Sequence, residues 1–371
     1  MSFRDIFCQD KAVGFLHRAF ASGRWAHAYI FTGPEGVGRY KTACEWAKLL
    51  LCSNPVFEDG FTDSCGLCKY CQLFEAGSHP DFNHVYKELR EFTSEGKGKT
   101  TPVDLPIDVI REFLIAKVST RPTHSQRKVF VVSEAEKLNI PSQNCLLKVL
   151  EEPPEYCCIV LLCTRLETLL PTIRSRSQII SFGPVDEDKI AAMLQQMGVE
   201  KKQALYFTRL AGGSLGLACR WAEIEMAEAD LYRTKKQLVC SLSGVELADA
   251  LDVAEDLLSE SKRIAAVWSD IDKAVSKTDI NRRAVRTLVQ MIISVFHDAM
   301  ILNLTPEKEI VNFDQKEQIE KIAARFEPEP AAEKISDCYR ILHWIESNVN
   351  EKLVFEQLLL SLTDSDTIKN K

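Results

Sequence analysis

The run Ile30-Phe31-Thr32-Gly33-Pro34-Glu35-Gly36-Val37-Gly38-Arg39-Tyr40 constrains the fold of this chain more than any other stretch. It follows an apolar segment and precedes a helical pattern over 41–51, the strand–loop–helix setting of a phosphate-binding loop of the form G-x-x-x-x-G-K-[ST]. Gly33 and Gly38 frame the turn, and Gly36 lets backbone N–H groups approach an anion. The two residues that carry the chemistry are replaced. Arg39 keeps the positive charge of the lysine, but its planar fork is no substitute for a compact ammonium between the β- and γ-phosphates. Tyr40 stands where a small hydroxyl would bind Mg²⁺, and its ring would crowd that place. Lys41-Thr42 comes two positions late, and a shifted motif would need glycines at Glu35 and Tyr40.

A second element of the same kind of site is also altered. Lys128-Val129-Phe130-Val131-Val132 reads as a short buried strand, followed by Ser133-Glu134. In a nucleotide-hydrolysing protein such a strand ends in Asp-Glu, the Asp helping to hold Mg²⁺ and the Glu orienting water. Ser133 takes the Asp position, while Glu134 remains. A strand ending in Ser-Glu means little alone. With Arg39 and Tyr40 it says that the metal-binding half is absent, so binding of ATP with Mg²⁺ and turnover in cis are not expected.

Cys65-Gly66-Leu67-Cys68-Lys69-Tyr70-Cys71 places three thiols at two-residue spacings, and tight turns can aim all three at one tetrahedral centre. Cys52, at the end of the helix that leaves the loop, supplies the fourth. Four thiolates at this spacing point to structural Zn²⁺ with no open coordination position. A redox C-x-x-C pair and replacement of one thiol by His79 are the alternatives. The insert over 53–64, with Pro55 and Gly60, has loop composition.

The chain has 371 residues, 46% hydrophobic and 27% charged, enough for two or three domains with real cores. A formal net charge of −7 gives no general reason for nonspecific nucleic-acid binding. No apolar run is expected to reach the length needed to span a membrane, and the N-terminus lacks an export signal. Thirteen cysteines, several inside apolar patterns, fit a reducing cytoplasm rather than a disulfide framework.

Helical spacing marks 10–22, 107–118 and 142–151, and further strands are expected at Cys157–Cys163, with Thr164 at its end, and at 178–182. Residues 91–106 read as a polar surface loop. Strands alternating with helices over the first 180 residues or so argue for a parallel sheet covered on both faces. Beyond Gly183-Pro184 only helical patterns follow: 187–197, 201–210, 217–227, 245–275, 282–301, 315–325 and 331–362, the longer ones broken by polar turns. Phe326–Pro330 is a local break, and 363–371 a frayed tail.

His27–Gly38, the four cysteines, Ser78-His79-Pro80-Asp81, Asn144–Pro154 with its Leu-Leu-Lys-Val-Leu-Glu-Glu-Pro-Pro run, and Leu170–Ser177 occur in that order. Together they resemble the bacterial AAA+ clamp-loader subunits of DNA polymerase III, densely over 1–185 and with few motifs beyond. The losses at Arg39, Tyr40 and Ser133, and Gly216 where active subunits carry a phosphate-sensing arginine, match the delta-prime branch. Gamma/tau normally keeps an intact loop, and the lack of an extension after the last helices also disfavours tau. The resemblance implies an α/β, RecA-like AAA+ domain with a zinc module (1–183, module 52–71), a small helical lid (184–240) and an all-α collar that oligomerises (241–371). It implies gamma/tau and delta as partners, and contact with the sliding clamp and primer–template DNA through the complex. It also gives Arg176, within Ser175-Arg176-Ser177, the role of an arginine finger reaching a neighbour's γ-phosphate. On residues alone, Arg174 and Arg176 simply solvate a strand edge. Thr164 matches a polar sensor position. The competing readings are an active gamma/tau-like ATPase in which another carboxylate holds Mg²⁺, and a zinc-dependent DNA-binding module acting alone.

Overall fold

The structure is a computed structural model that describes residues 2–58, 61–96, 103–273, 275–346 and 350–363. The chain divides into two compact units, Met1–Asp186 with Ser214–Gly216, and Glu187–Gly213 with Leu217–Lys371.

The first unit contains strands β1 (Ala28–Thr32), β2 (Val56–Glu58), β3 (Phe61–Asp63), β4 (Phe82–Val85), β5 (Lys128–Val132), β6 (Cys157–Cys163) and β7 (Gln178–Ser181). Five of them form one sheet in the order β4-β5-β6-β1-β7, every pair parallel. Its central strands are apolar at nearly every position because both faces are covered. Tyr29 and Phe31 of β1 and Val129 and Val131 of β5 point to one face. There they meet Leu16 of α1 (Asp10–Ala21) and Trp46 of α2 (Arg39–Leu51). The alternate residues Ala28, Ile30, Phe130 and Val132 point to the other face, against Val109, Leu114 and two leucines, Leu146 and Leu150, of the helix Ile140–Glu151. The side-chain period of two thus sorts one sheet into two cores.

The loop after β1 is wedged between its neighbours. Gly33 N–H donates to the Cys163 carbonyl at 3.3 Å, and Phe182 N–H donates to the Thr32 carbonyl at 2.8 Å. Gly33 lies at φ +150°, and a Cβ there would come within 2.4 Å of the Phe182 carbonyl oxygen. Only glycine allows so close an approach of two backbones.

Several expectations need correction. The insert over 53–64 carries the antiparallel pair β2–β3 rather than loop alone. Within 91–106, Thr93 and Leu105 are buried, Leu105 bridging to Leu138, while 97–102 lie outside the described residues. The strand β4 and the helix Leu231–Gly244 were not anticipated. The 331–362 stretch is two helices, Pro328–Glu346 and Glu351–Thr363. The first begins at Pro328, where a missing N–H costs nothing. Thr363 ends a helix and is buried, and the rest of the expected tail lies outside the described residues.

Among the described residues, every regular element of the second unit is a helix. Its longest helix, Lys277–Leu304, is long and apolar enough by length and composition to cross a membrane, contrary to the sequence expectation. Its most apolar window is 61% buried inside the protein, so that apolarity serves a core. It packs against Ala250–Ile271, Lys316–Arg325 and Pro328–Glu346. Lys235 is fully buried and ion-paired with Asp314, which also accepts from the Tyr232 hydroxyl at 2.8 Å.

Gly33→Ala should lower stability by roughly 2–3 kcal/mol, because the added methyl must displace backbone. The urea midpoint of the purified chain measures this, and an unshifted midpoint refutes the contact.

Candidate functional site

In the first unit the carboxyl ends of the sheet strands deliver the loop residues, Tyr86, Ser133 and Thr164 to one edge, where open parallel sheets form their clefts. Gly38 caps α2 at φ +100°, and Gln9 props the loop by donating its amide to the Val37 carbonyl at 3.2 Å and the Gly183 carbonyl at 2.9 Å. Arg39 is half-buried and, among the described residues, its guanidinium makes no hydrogen bond or ion pair. Burial pushes its guanidinium down, while Glu136, Cys163 and Glu35 oppose that shift. The late Lys41-Thr42 pair is spoken for. Thr42 Oγ1 donates to the Gly38 carbonyl at 2.9 Å and Lys41 Nζ to the Asp5 carbonyl at 2.8 Å.

The residues that would hold Mg²⁺ are engaged with a histidine that sequence reasoning missed. His84 of β4 places Nε2 2.8 Å from Ser133 Oγ. Its other nitrogen, Nδ1, lies 3.5 Å from the Tyr40 hydroxyl, and the two rings are 4.8 Å apart. Tyr86 flanks the imidazole at 4.7 Å between centroids. Burial pushes His84 down to about 4, so it is neutral at physiological pH, and burial pushes the Tyr40 phenol up. Glu134 sits in the left-handed region at φ 51° and pairs with Lys137 at 2.5 Å and Lys87 at 3.6 Å. Thr164 Oγ1 donates to Glu136 at 2.7 Å. Tyr40, His84 and Ser133 contain no carboxylate, and a Mg²⁺ wanting near-octahedral oxygens at about 2.1 Å does not fit among them. Nearby, Gly216 N–H donates to the Gly36 carbonyl at 2.8 Å. A Cβ at 216 would come within 2.9 Å of Gly36 Cα, so no side chain stands at that position.

Cys52, Cys65, Cys68 and Cys71 form a group able to hold a metal ion, with all four sulfurs within 4.8 Å of one another. The separations Cys52–Cys65 3.6 Å, Cys52–Cys68 4.0 Å and Cys65–Cys71 4.0 Å bracket the ~3.8 Å edge of a tetrahedron with Zn–S near 2.3 Å. Backbone N–H groups of Cys65, Cys68 and Cys71 donate to the sulfurs of Cys52, Cys65 and Cys68 at 3.3–3.4 Å, bonds that a metal-bound sulfur also accepts. The cysteines are free thiols, and His79 is occupied elsewhere. His79 Nδ1 accepts from Asp81 N–H at 3.1 Å and Nε2 lies 3.2 Å from Ser125 Oγ, while Asp81 accepts three backbone N–H groups from Thr123, His124 and Ser125. Ser78-His79-Pro80-Asp81 therefore fastens a loop.

Arg176 follows the short helix Pro171–Arg174 and precedes β7. Its guanidinium pairs with Glu151 at 3.0 Å and donates to the Thr172 carbonyl at 3.1 Å, with 37% of the side chain exposed. Since β1 and β7 run parallel in the register Tyr29↔Gln178 to Thr32↔Ser181, Arg176 lies at the opposite end of the sheet from the phosphate loop.

The family model described as DNA polymerase III, delta subunit, matches residues 8–186, and that described as DNA polymerase III, delta subunit, C terminal, matches 274–364. The delta-prime subunit of Bacillus subtilis is 22% identical over 96% of both chains, and that of Pseudomonas aeruginosa 37% identical over 41% of both. The chain belongs to the DNA polymerase III delta-prime family. The gamma/tau subunit of Mycobacterium bovis is 28% identical over 82% of this chain, which spans about half the length of that relative, 50%.

Within this delta-prime fold the structure brings Arg39, Tyr40, Ser133, Glu134 and Thr164 to one edge with the loop glycines, keeps the cysteines together as a separate group, and sets Arg176 apart. His84, Tyr86, Glu136 and Glu151 were missed. The polar–aromatic run His84-Val85-Tyr86 after Ser78-His79-Pro80-Asp81 is the one local signal that could have pointed to the first two.

His84 also sets a pH dependence. Its folded value lies below its ordinary 6.5, so the unfolded chain takes up a proton first as pH falls. Its contribution is complete above pH ~6.5 and is lost as pH drops toward about 4, with on the order of 2 kcal/mol gone by pH 5. Urea unfolding at pH 7 and pH 5 should show a smaller decrement for His84→Gln than for the native chain. His17 and His79, also pushed down by burial, add to the decrement in the same direction. Equal decrements refute the assignment.

Proposed function

We propose that this chain is a non-hydrolysing stator subunit of a bacterial clamp loader, which assembles with gamma/tau and delta subunits to load the sliding clamp on primer–template DNA in the cytoplasm. One observation carries the reading. The sheet edge that would receive ATP and Mg²⁺ is occupied by Tyr40, His84 and Ser133, while a half-exposed arginine is presented at the far end of the same sheet. The β1–β7 register separates the two by a strand length, ~13 Å or more, so Arg176 cannot serve its own loop. It suits a neighbour's triphosphate instead. The Glu151 pair that parks it is solvent-exposed on both sides, worth well under 1 kcal/mol, and so is easily exchanged for a phosphate.

In this reading the four cysteines hold structural Zn²⁺, which ties the end of α2 to the β2–β3 insert. The first 183 residues form the AAA+ domain with its zinc module, 184–240 the lid and 241–371 the collar through which the ring assembles. Glu134 is turned to Lys137 and Lys87 rather than to a water.

In a complex reconstituted with gamma/tau and delta, Arg176→Ala should slow hydrolysis at the one neighbouring site on the order of 10³-fold, with Arg176→Lys giving little rescue. Single-turnover kinetics would show the loss of one phase, and unchanged phases remove the finger. The isolated chain should hydrolyse no ATP. A rate abolished by Arg39→Ala would instead favour the active-ATPase reading.

The purified chain should release about one Zn²⁺ per chain to a chelator after thiol modification, with a fall in Tm, and Cys68→Ser should lower both metal content and Tm. A metal-free chain of undiminished Tm would remove zinc from the account.

A further inference from the structure

The phosphate loop has lost its cation ligands, and something has taken their place. A degenerate site with two ligands missing would leave a gap that water or another carboxylate could fill. Here the gap is spanned by one ring. Tyr40 occupies the hydroxyl position on the loop helix and Ser133 the carboxylate position after β5, and His84 touches both, Nε2 to Ser133 Oγ at 2.8 Å and Nδ1 to the Tyr40 hydroxyl at 3.5 Å. Because the contacts use opposite nitrogens of the imidazole, the ring lies between the two side chains. Tyr86 closes a further side at 4.7 Å. None of these groups brings negative charge, which a hard dication needs in order to give up its water. Of the two carboxylates that follow Ser133, Glu134 is paired with Lys137 and Lys87, and Glu136 accepts from Thr164 through one oxygen while its other oxygen is buried without a hydrogen-bond partner.

We propose that His84 is a plug: its ring occupies the position a divalent cation would require, so any phosphate-bearing ligand that reaches the loop does so without a metal, and restoring the lost ligands is not enough to bring the metal back. This deepens the reading of the loop as a non-hydrolysing site and is independent of Arg176. It makes His84, on a strand with no part in the loop motif, a residue that determines which chemical form of a nucleotide the loop can accept.

The test restores the ordinary ligand set in the full chain with Arg39→Lys, Tyr40→Thr and Ser133→Asp together, with and without His84→Ala. ATP affinity is measured in EDTA and in Mg²⁺, and Mn²⁺ occupancy by electron paramagnetic resonance. With His84 kept, Mg²⁺ should change ATP affinity less than about twofold; with His84→Ala added, it should tighten binding about tenfold or more and Mn²⁺ should bind. Tenfold enhancement already present with His84 in place overturns the proposal. So does the failure of the His84→Ala form to gain any, since something else would then exclude the metal. If a variant does not fold, nitrogen-15 spectra of the native chain decide. Mn²⁺ added with ATP should leave the His84 ring signals unbroadened, and broadening overturns the proposal. Loss of this result would leave the Arg176 kinetics standing, and loss of the Arg176 effect would leave this result standing.

Discussion

Parallel pairing of β1 between β6 and β7 is the constraint on which the rest of the first unit depends. A parallel strand must be covered on both faces, which accounts for the apolar runs of β1, β5 and β6 and for the two cores on either side of them. The same pairing brings Gly33 against the Phe182 carbonyl and the Cys163 carbonyl, so the loop's entry is fixed by backbone contacts that need no ligand. It also fixes polarity. Everything after a strand collects at one edge, and everything before a strand collects at the other.

That polarity lets the residues at Arg39, Tyr40 and Ser133 differ from those of an ordinary nucleotide site without disturbing the fold. Arg39, Tyr40 and Ser133 lie on the edge formed by the carboxyl ends, and their side chains contribute little to either core. Tyr40 is 46% exposed. A tyrosine and a serine that meet a neutral histidine bring no charge to this half-buried place, whereas an aspartate would add a negative charge that calls for a cation or several donors opposite it. The Tyr40–His84–Ser133 group itself is therefore uncharged, with Arg39 and the carboxylates of Glu134 and Glu136 around it.

Much of this was legible in the chain. The loop, the β5, β6 and β7 strands and the cysteine set follow from spacing and composition, because a glycine-framed turn, a strand buried on both faces and a tetrahedral metal each impose a local pattern. What was missed depends on contacts between distant segments. β4, Phe82-Asn83-His84-Val85, alternates polar and apolar over only four residues, too short for periodicity to separate it from loop. Glu151 and Arg176 meet only because the end of the helix Ile140–Glu151 and the turn before β7 share one edge of the sheet. The buried pair Lys235–Asp314 lies in helical patterns whose charges read as solvent-facing, and only packing reveals that Lys235 is enclosed. The long helix Lys277–Leu304 erred in the other direction, since a helix buried on most sides carries the composition of a membrane span.

The two ends of the sheet also differ in how firmly they hold their residues. At the receiving edge, His84 is desolvated and hydrogen-bonded, flanked by Tyr40 and Tyr86, so displacing it costs packing as well as a hydrogen bond. At the opposite edge, Arg176 rests on an exposed carboxylate and one carbonyl, interactions that water replaces at little cost. In the roles proposed for them, an arginine that leaves its resting place to meet an anion is best held weakly, and a ring that keeps a cation out is best held tightly. A parallel sheet lets both conditions be met in one domain, because each end is built from different loops and neither shares a side chain with the other.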